Sequence, residues 1–141
     1  MVINSIFNTP EQAESAFYAA FESRSVEAMM RVWSDDLEVV CIHPQGAKLV
    51  GRAAVQQSWE QILTRSPAIR IDVRNRQTLS GDSLVAHIVS EHIYVVDRRI
   101  WQGPILATNV YRRGGMGWQI VLHHASAAPS YDPIPSGVTR H

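Results

Sequence analysis

The side chains best suited to moving protons in this sequence are an isolated strand carboxylate and a pair of strand imidazoles. Glu91 stands among Ile88, Val89, Ile93 and Val95, in a run that reads as strand. A carboxyl group in apolar surroundings needs a partner or takes a raised pKa. A histidine beside it would supply the partner, and either group could then exchange protons near neutral pH. The imidazoles are His123 and His124, adjacent in the last apolar run, Gly117 to Ser126. Neighbouring strand residues face opposite sides of a sheet, so one of them can enter a cavity while the other meets a second layer or a partner subunit. The same residue types also fit a purely structural hydrogen-bonded pair, or a Glu91 that faces solvent.

His43 follows a short apolar run and precedes Pro44 and Gly46, a rim or turn position from which an imidazole could be aimed at a cavity mouth. It could equally hydrogen-bond its own turn backbone. Six histidines raise the question of a metal. His123 and His124 cannot chelate together from one regular strand, and the chain has no His-Glu-x-x-His helix and no cysteine pair. A site from His43, Glu91 and His123 is conceivable, but no motif supports it, so no metal is expected. Neither a Gly-x-Ser-x-Gly elbow nor a glycine-rich phosphate loop is present.

The elements that must position these groups can be read from pattern. Thr9-Pro10-Glu11-Gln12 is a helix start, followed by an apolar stripe of Ala13, Ala16, Phe17, Ala20 and Phe21. Ser25 caps a second helix bearing Val26, Met29, Met30 and Trp33, which ends at Asp35-Asp36. These two acids fit a solvated turn better than a catalytic pair. Leu37 to Ile42 is a short strand, and Gly51 to about Arg65 is a third helix with Val55, Trp59, Ile62 and Leu63 on one side. Strands follow from Ile69, from Leu84 to Val96, from Ile105 to Arg112, and from Gly117 to Ser126. Trp33 and Trp59 are the large residues of their helix faces, suited to the core or to the wall of an apolar ligand pocket. Helices gathered before a run of long strands define α+β architecture, a curved mixed or antiparallel sheet closed by three helices into a cone.

Composition sets the outer limits. The chain has 141 residues, 45% of them apolar and 18% charged, with a formal net charge of zero. One domain spanning 1–141 is expected, with its core at about 9–128 and an extended, proline-bearing tail over 129–141. A nucleic-acid binder usually carries a basic excess, which is missing here. Apolar runs fall short of the ~20 residues that cross a bilayer, and the N-terminus does not read as a signal peptide. The expectation is a cytoplasmic protein with no membrane or nucleic-acid partner. The single cysteine, Cys41, reads as a small buried apolar residue.

Over roughly residues 10 to 130 the sequence resembles the nuclear transport factor 2-like superfamily, which includes the SnoaL-like proteins. The resemblance is greatest to the association (hub) domain of calcium/calmodulin-dependent protein kinase II. It rests on Thr108-Asn109-Val110-Tyr111-Arg112-Arg113, on Gly117-Trp118-Gln119-Ile120-Val121, and on His124, Ser126, Ala128, Pro129 and Ser130, with Val50-Gly51 and Asp97 in register. The positions where hub domains carry two pocket arginines are Asn109 and Ala125 here, and that of their pocket histidine is Val55. What the resemblance implies is the cystatin-like, cone-shaped fold, a homodimer through the sheet face, and the direction of the side chains. Asn109 and Ala125 would face the interior, and with them Tyr111, Val121, His123, Val89, Glu91 and Ile93. His92, Trp118 and His124 would face the other way.

Two functions are compatible with that frame. The first is a dimer that binds a small, partly apolar molecule and catalyses isomerase- or dehydratase-type proton transfer on it, needing no cofactor. Glu91 and His123 would be the acid/base pair, and Trp33, His43, Trp59, Asn109 and Tyr111 would hold the ligand. The second is a non-catalytic dimerisation or ligand-sensing module like the hub.

Overall fold

In the computed structural model, residues 7–35 and 38–129 are described. Three helices, α1 (Pro10–Ser23), α2 (Val26–Val32) and α3 (Arg52–Arg65), accompany six strands: β1 (Val40–Ile42), β2 (Leu49–Val50), β3 (Ile69–Ser80), β4 (Leu84–Val95), β5 (Ile100–Gly114) and β6 (Gly117–Ala127). The strands form one open sheet in the order β2-β1-β6-β5-β4-β3. β1 runs parallel to β6 and every other pairing is antiparallel, so the sheet is mixed.

Local chemistry sets the starts of α1 and α2 as the sequence predicts, but α2 stops at Val32, short of the expected Asp35-Asp36, because Trp33 turns extended and pairs with Ile120. The Thr9 hydroxyl accepts the Gln12 N–H at 3.0 Å, and the Gln12 side chain accepts the Asn8 N–H at 2.8 Å. Ser25 caps α2 by accepting from the Ala28 N–H at 3.0 Å. The C-terminal end of α2 is held from α3, where the Arg52 guanidinium donates to the carbonyls of Met30 and Trp33 at 2.6 and 2.8 Å. These carbonyls have no partner within their own helix.

The helices bury their apolar stripe on the inner sheet face. Phe17, Met29, Val32, Trp33, Val39, Val55, Trp59 and Ile120 are fully enclosed in that layer. Phe17 and Phe21 of α1 meet the Trp59 ring edge-on at 5.5 and 5.1 Å.

Three register shifts separate the structure from simple alternation. On β6, Val110 pairs with Leu122 but Tyr111 pairs with Ile120, leaving Val121 as an extra residue. The bulge reverses the phase of the strand. Trp118 and Ile120 therefore point into the core together with His123 and Ala125. The expectation that Trp118 faces outward and Val121 inward is corrected accordingly. On β5, Gly103 and Pro104 together oppose the single residue between Glu91 and Ile93. Pro104 has no N–H for a ladder. At this bulge it does not end the strand, which begins at Ile100 instead of Ile105. On β3, Asn75 and Arg76 fall between the Arg74–Ser90 and Gln77–Ile88 pairs, with Asn75 at a positive φ of 58°.

β1 is shorter than expected and begins at Val40, while Asp36, Leu37 and the tail beyond Pro129 lie outside the described residues. Among the described residues no helix is long and apolar enough to cross a membrane.

Candidate functional site

A row of polar side chains crosses the otherwise apolar inner face. His87 of β4 stands opposite Asn109 of β5, which stands opposite His123 of β6. All three are buried, and Glu91 lies in the same inward register as His87, four residues along β4. Helix α1 passes over this row and adds Glu14 and Tyr18, one turn apart and both buried. A buried polar group costs little only when it is hydrogen-bonded. Here the polar groups bond chiefly to one another.

Chemistry fixes the direction of most of these bonds. His123 Nδ1 lies 2.6 Å from Asn109 Oδ1. An amide oxygen only accepts, so His123 must donate from Nδ1. The Asn109 amide nitrogen is thereby turned toward the Tyr18 hydroxyl, to which it donates at 3.0 Å. The Tyr18 hydroxyl donates to Glu91 Oε2 at 2.6 Å. Beside this chain, Glu14 Oε2 accepts from the Tyr111 hydroxyl at 2.8 Å, with His87 Nδ1 at 2.9 Å and Asn109 Nδ2 at 3.5 Å. Arg76 reaches Glu14 Oε1 at 3.4 Å. The β3 bulge sets that contact, because two residues opposing one re-aim the strand. His87 Nε2 is 3.3 Å from Glu11 Oε2 but is not aligned for a hydrogen bond.

Burial raises the Glu91 pKa from 4.5 to about 7; the Tyr18 hydrogen bond opposes that rise and the Glu14 charge adds to it. Burial, with the nearby carboxylates, pushes the Tyr18 phenol well above its ordinary value, and burial and Glu14 do the same for Tyr111. Burial pushes His123 down to about 3, helped by His43 and His124, so its ring is neutral at physiological pH.

An open groove of about 580 Å³ runs between α1 and β3, lined by Glu14, Ser15, Tyr18, Ala19, Glu22, Ile71, Val73 and Arg76. It meets the polar network at Glu14 and Tyr18. Its floor carries the apolar side chains of Ile71, Val73 and Ala19, within a lining that is otherwise polar.

The expected site residues separate into two groups. Glu91, Asn109, Tyr111 and His123 share the network. Glu91 and His123 do not touch directly but are joined through Asn109 and Tyr18. Trp33 and Trp59 are wholly enclosed in the core, and His43 packs edge-on against Trp59 with ring centroids 4.9 Å apart. None of these three lines the groove. Ser58 Oγ donates to the Val55 carbonyl at 2.7 Å, so His43 Nε2, 3.0 Å away, donates to Ser58 instead of bonding its own turn. Among the described residues no cluster of three or more His, Cys, Asp or Glu side chains could hold a metal ion.

Glu14, Tyr18, His87 and Arg76 were missed from sequence. A signal existed for two of them. Glu14 and Tyr18 are one turn apart, flanking the stripe that carries Phe17, so they sit at the edge of the buried helix face.

Cys41 is buried beside His43, with Sγ 3.5 Å from Nε2, and burial pushes its thiol up to about 12. The thiolate is the reactive form. At pH 8, iodoacetamide should therefore alkylate the folded chain about 1000-fold more slowly than the chain in denaturant, as followed by mass spectrometry. A native rate within tenfold of the denatured one (~10-fold) would contradict this burial.

Helices packed on one face of an open mixed sheet, with a polar row at their junction, define an α+β cystatin-like fold of the nuclear transport factor 2-like type. The SnoaL-like domain profile matches residues 11–130, and the chain belongs to that family. A Thiobacillus denitrificans protein provisionally described as a calcium/calmodulin-dependent protein kinase type II association domain is 45% identical, with a TM-score of 0.85 over 89% of this chain and 100% of its own. A Streptomyces avermitilis protein provisionally described as a dehydratase of the NTF2-like family is 26% identical, with a TM-score of 0.77 over 85% of this chain and 94% of its own. F-box protein SKIP8 of Arabidopsis thaliana is 27% identical over 113 residues, 78% of this chain but 46% of that protein. The chain thus spans about half the length of this curated relative.

Proposed function

We propose that this SnoaL-like chain is a homodimer, joined through the outer sheet face, that binds a small, partly apolar molecule and transfers protons on it without a cofactor. The chemistry would be of isomerase or dehydratase type. One observation carries the reading: Glu91, 3% exposed and with a pKa of about 7, is one short hydrogen bond behind an open groove that has an apolar floor. A group poised near the working pH is what proton transfer requires. Glu91 is the proton carrier, and neutral His123 anchors the far end of the chain through Asn109. Tyr111 and Asn109 hold the Glu14 carboxylate that borders the groove. The likeness to the Streptomyces avermitilis protein supports this class of reaction.

The test is deuterium exchange. Cyclohexanone incubated with the protein in D2O should lose its α-protons faster than in buffer, as read by NMR, and Glu91→Gln should slow this by about 100-fold. Exchange at the buffer rate would overturn the enzymatic reading.

The likeness to the Thiobacillus denitrificans protein favours a second reading, a non-catalytic dimerisation or ligand-sensing module. The outer sheet face carries Ile88, Val110 and Leu122, all half-buried, and Leu106, 44% exposed. No ketone exchange, with a dimer that persists on dilution in sedimentation, would favour this module.

A further inference from the structure

The geometry points to Tyr18 as the group that touches the ligand, donating its hydroxyl proton to a carbonyl oxygen in the groove, with Glu91 reloading it from behind and Asn109 fixing the direction of the chain. This rests on the proton-transfer reading above. It differs in placing the contact on a residue of α1 and not on the buried carboxyl.

Tyr18 lines the groove and Glu91 does not. Any proton passing between Glu91 and a molecule in the groove has Tyr18 in its way, because the phenol oxygen is 2.6 Å from Glu91 Oε2.

Hydrogen-bond capacity gives the second step. A phenol has one proton to donate. When Glu91 is a carboxylate, the Tyr18 proton points at it and is withheld from the groove. When Glu91 is protonated, its own O–H can donate to the Tyr18 oxygen. Asn109 donates to the same oxygen at 3.0 Å. Two donors then face the phenol oxygen from the interior, and the Tyr18 proton can turn to the groove. Asn109 does not reverse its amide, because that would set Oδ1 in place of Nδ2 against the Glu14 carboxylate, 3.5 Å away, and oppose two acceptors. Tyr18 is thus fixed as an acceptor on its Asn109 side. Its phenol is raised above its ordinary range, so it keeps its proton until one is handed on.

Charge and surface select the substrate class. Glu14 and Glu22 border the groove against the single cation Arg76, which is already paired with Glu14. This border disfavours anionic ligands. Ile71, Val73 and Ala19 offer an apolar floor. The ligand that fits is a neutral ketone or enone with a small apolar body.

The atoms balance as follows. The C–H bond next to the carbonyl breaks, its electron pair forms the C=C bond, and its proton passes to a water of the open groove. The carbonyl oxygen takes the Tyr18 proton, and Tyr18 takes the Glu91 proton. Glu91 is left as a carboxylate, and the hydronium gives a proton to the Tyr18 oxygen as Tyr18 passes its own back to Glu91, restoring both groups and the water. An enol is formed, and no oxidant or reductant is consumed.

The experiment uses the full chain and cyclohexanone in D2O. The wild-type exchange rate should fall as pH rises past the Glu91 ionisation. Tyr18→Phe should slow exchange by at least about 100-fold while cyclohexanone still raises the melting temperature. Tyr18→3-fluorotyrosine, which keeps the hydroxyl and makes it more acidic, should fold normally and change the rate several-fold; an unchanged rate would deny the hydroxyl a part in the chemistry. If Tyr18→Phe exchanges at the wild-type rate while Glu91→Gln does not, the carboxyl reaches the ligand itself. The inference then falls and the proposed function stands. If the wild-type protein does not exchange cyclohexanone at all, both fall together.

Discussion

Glu14→Leu is expected to cost about 3–5 kcal/mol of folding stability, the loss typical when one member of a buried charged cluster is removed. The Glu14 carboxylate is the acceptor on which Tyr111, His87 and Arg76 converge, and Asn109 approaches it as well. Leucine matches its bulk but accepts nothing. The Tyr111 hydroxyl and the His87 ring would stay in place, because both residues are fully enclosed. An orphaned buried donor costs about 1–3 kcal/mol, so two of them account for the expected range. Glu14→Gln keeps one carbonyl oxygen and should cost about half as much. The double variant Glu14→Leu/Tyr111→Phe should recover about 1–2 kcal/mol relative to the sum of the singles, because the second change removes an orphan created by the first. Urea denaturation midpoints read all three values. A Glu14→Leu protein within about 1 kcal/mol of wild type would show that water or a rearranged donor replaces the carboxylate at no great cost.

How far the sequence led to these groups depends on the range over which each signal acts. Thr9, Gln12 and Ser25 announce helix starts through bonds to residues three or four places away, and the helices begin where those bonds form. The resemblance to hub domains set Asn109 inward, and alternation carried that phase correctly to His123 and Glu91, because between these positions and their cross-strand partners the register is unbroken. It failed at Trp118 and Val121, on the far side of the β6 bulge. A bulge changes the side-chain phase of everything beyond it and leaves no glycine or proline at Val121 to mark it. Arg76 was hidden for the same reason. By simple alternation after Ile71 and Val73, the inward position would be Asn75. The aromatic residues misled in another way. Trp33, Trp59 and His43 have the composition of a ligand wall, but packing closes the space around them, and composition alone cannot distinguish a wall from a filled core. The groove opened instead where α1 stands against the edge strand β3, a tertiary placement with no local signature.

The second large effect is a stability that falls as pH rises. Glu91 is faced by Tyr18 and Glu14 from α1, by Asn109 beyond Tyr18 from β5, and by Val73 across the β3 pairing. Arg76 is paired with Glu14, and among the described residues no ion pair is formed to Glu91. Its pKa is about 7 in the folded chain against an ordinary 4.5. Below pH 4.5 the carboxyl is protonated in both states and contributes no pH dependence. Between 4.5 and 7 the folded state binds the proton that the unfolded state has released, so the slope of stability against pH is negative there. Above 7 both states are ionised and the full cost is present, about 3 kcal/mol for a shift of this size. Urea denaturation at pH 5 and pH 8 should show the wild type weaker at pH 8 by that order. Glu91→Gln removes the titrating group and should flatten the interval. Its amide carbonyl can still accept from Tyr18, so at pH 8 the variant should match or exceed the wild type, while at pH 5 it should not. A wild type as stable at pH 8 as at pH 5 would mean that Glu91 is already ionised in the acid range. The proton that Tyr18 needs at neutral pH would then not be there.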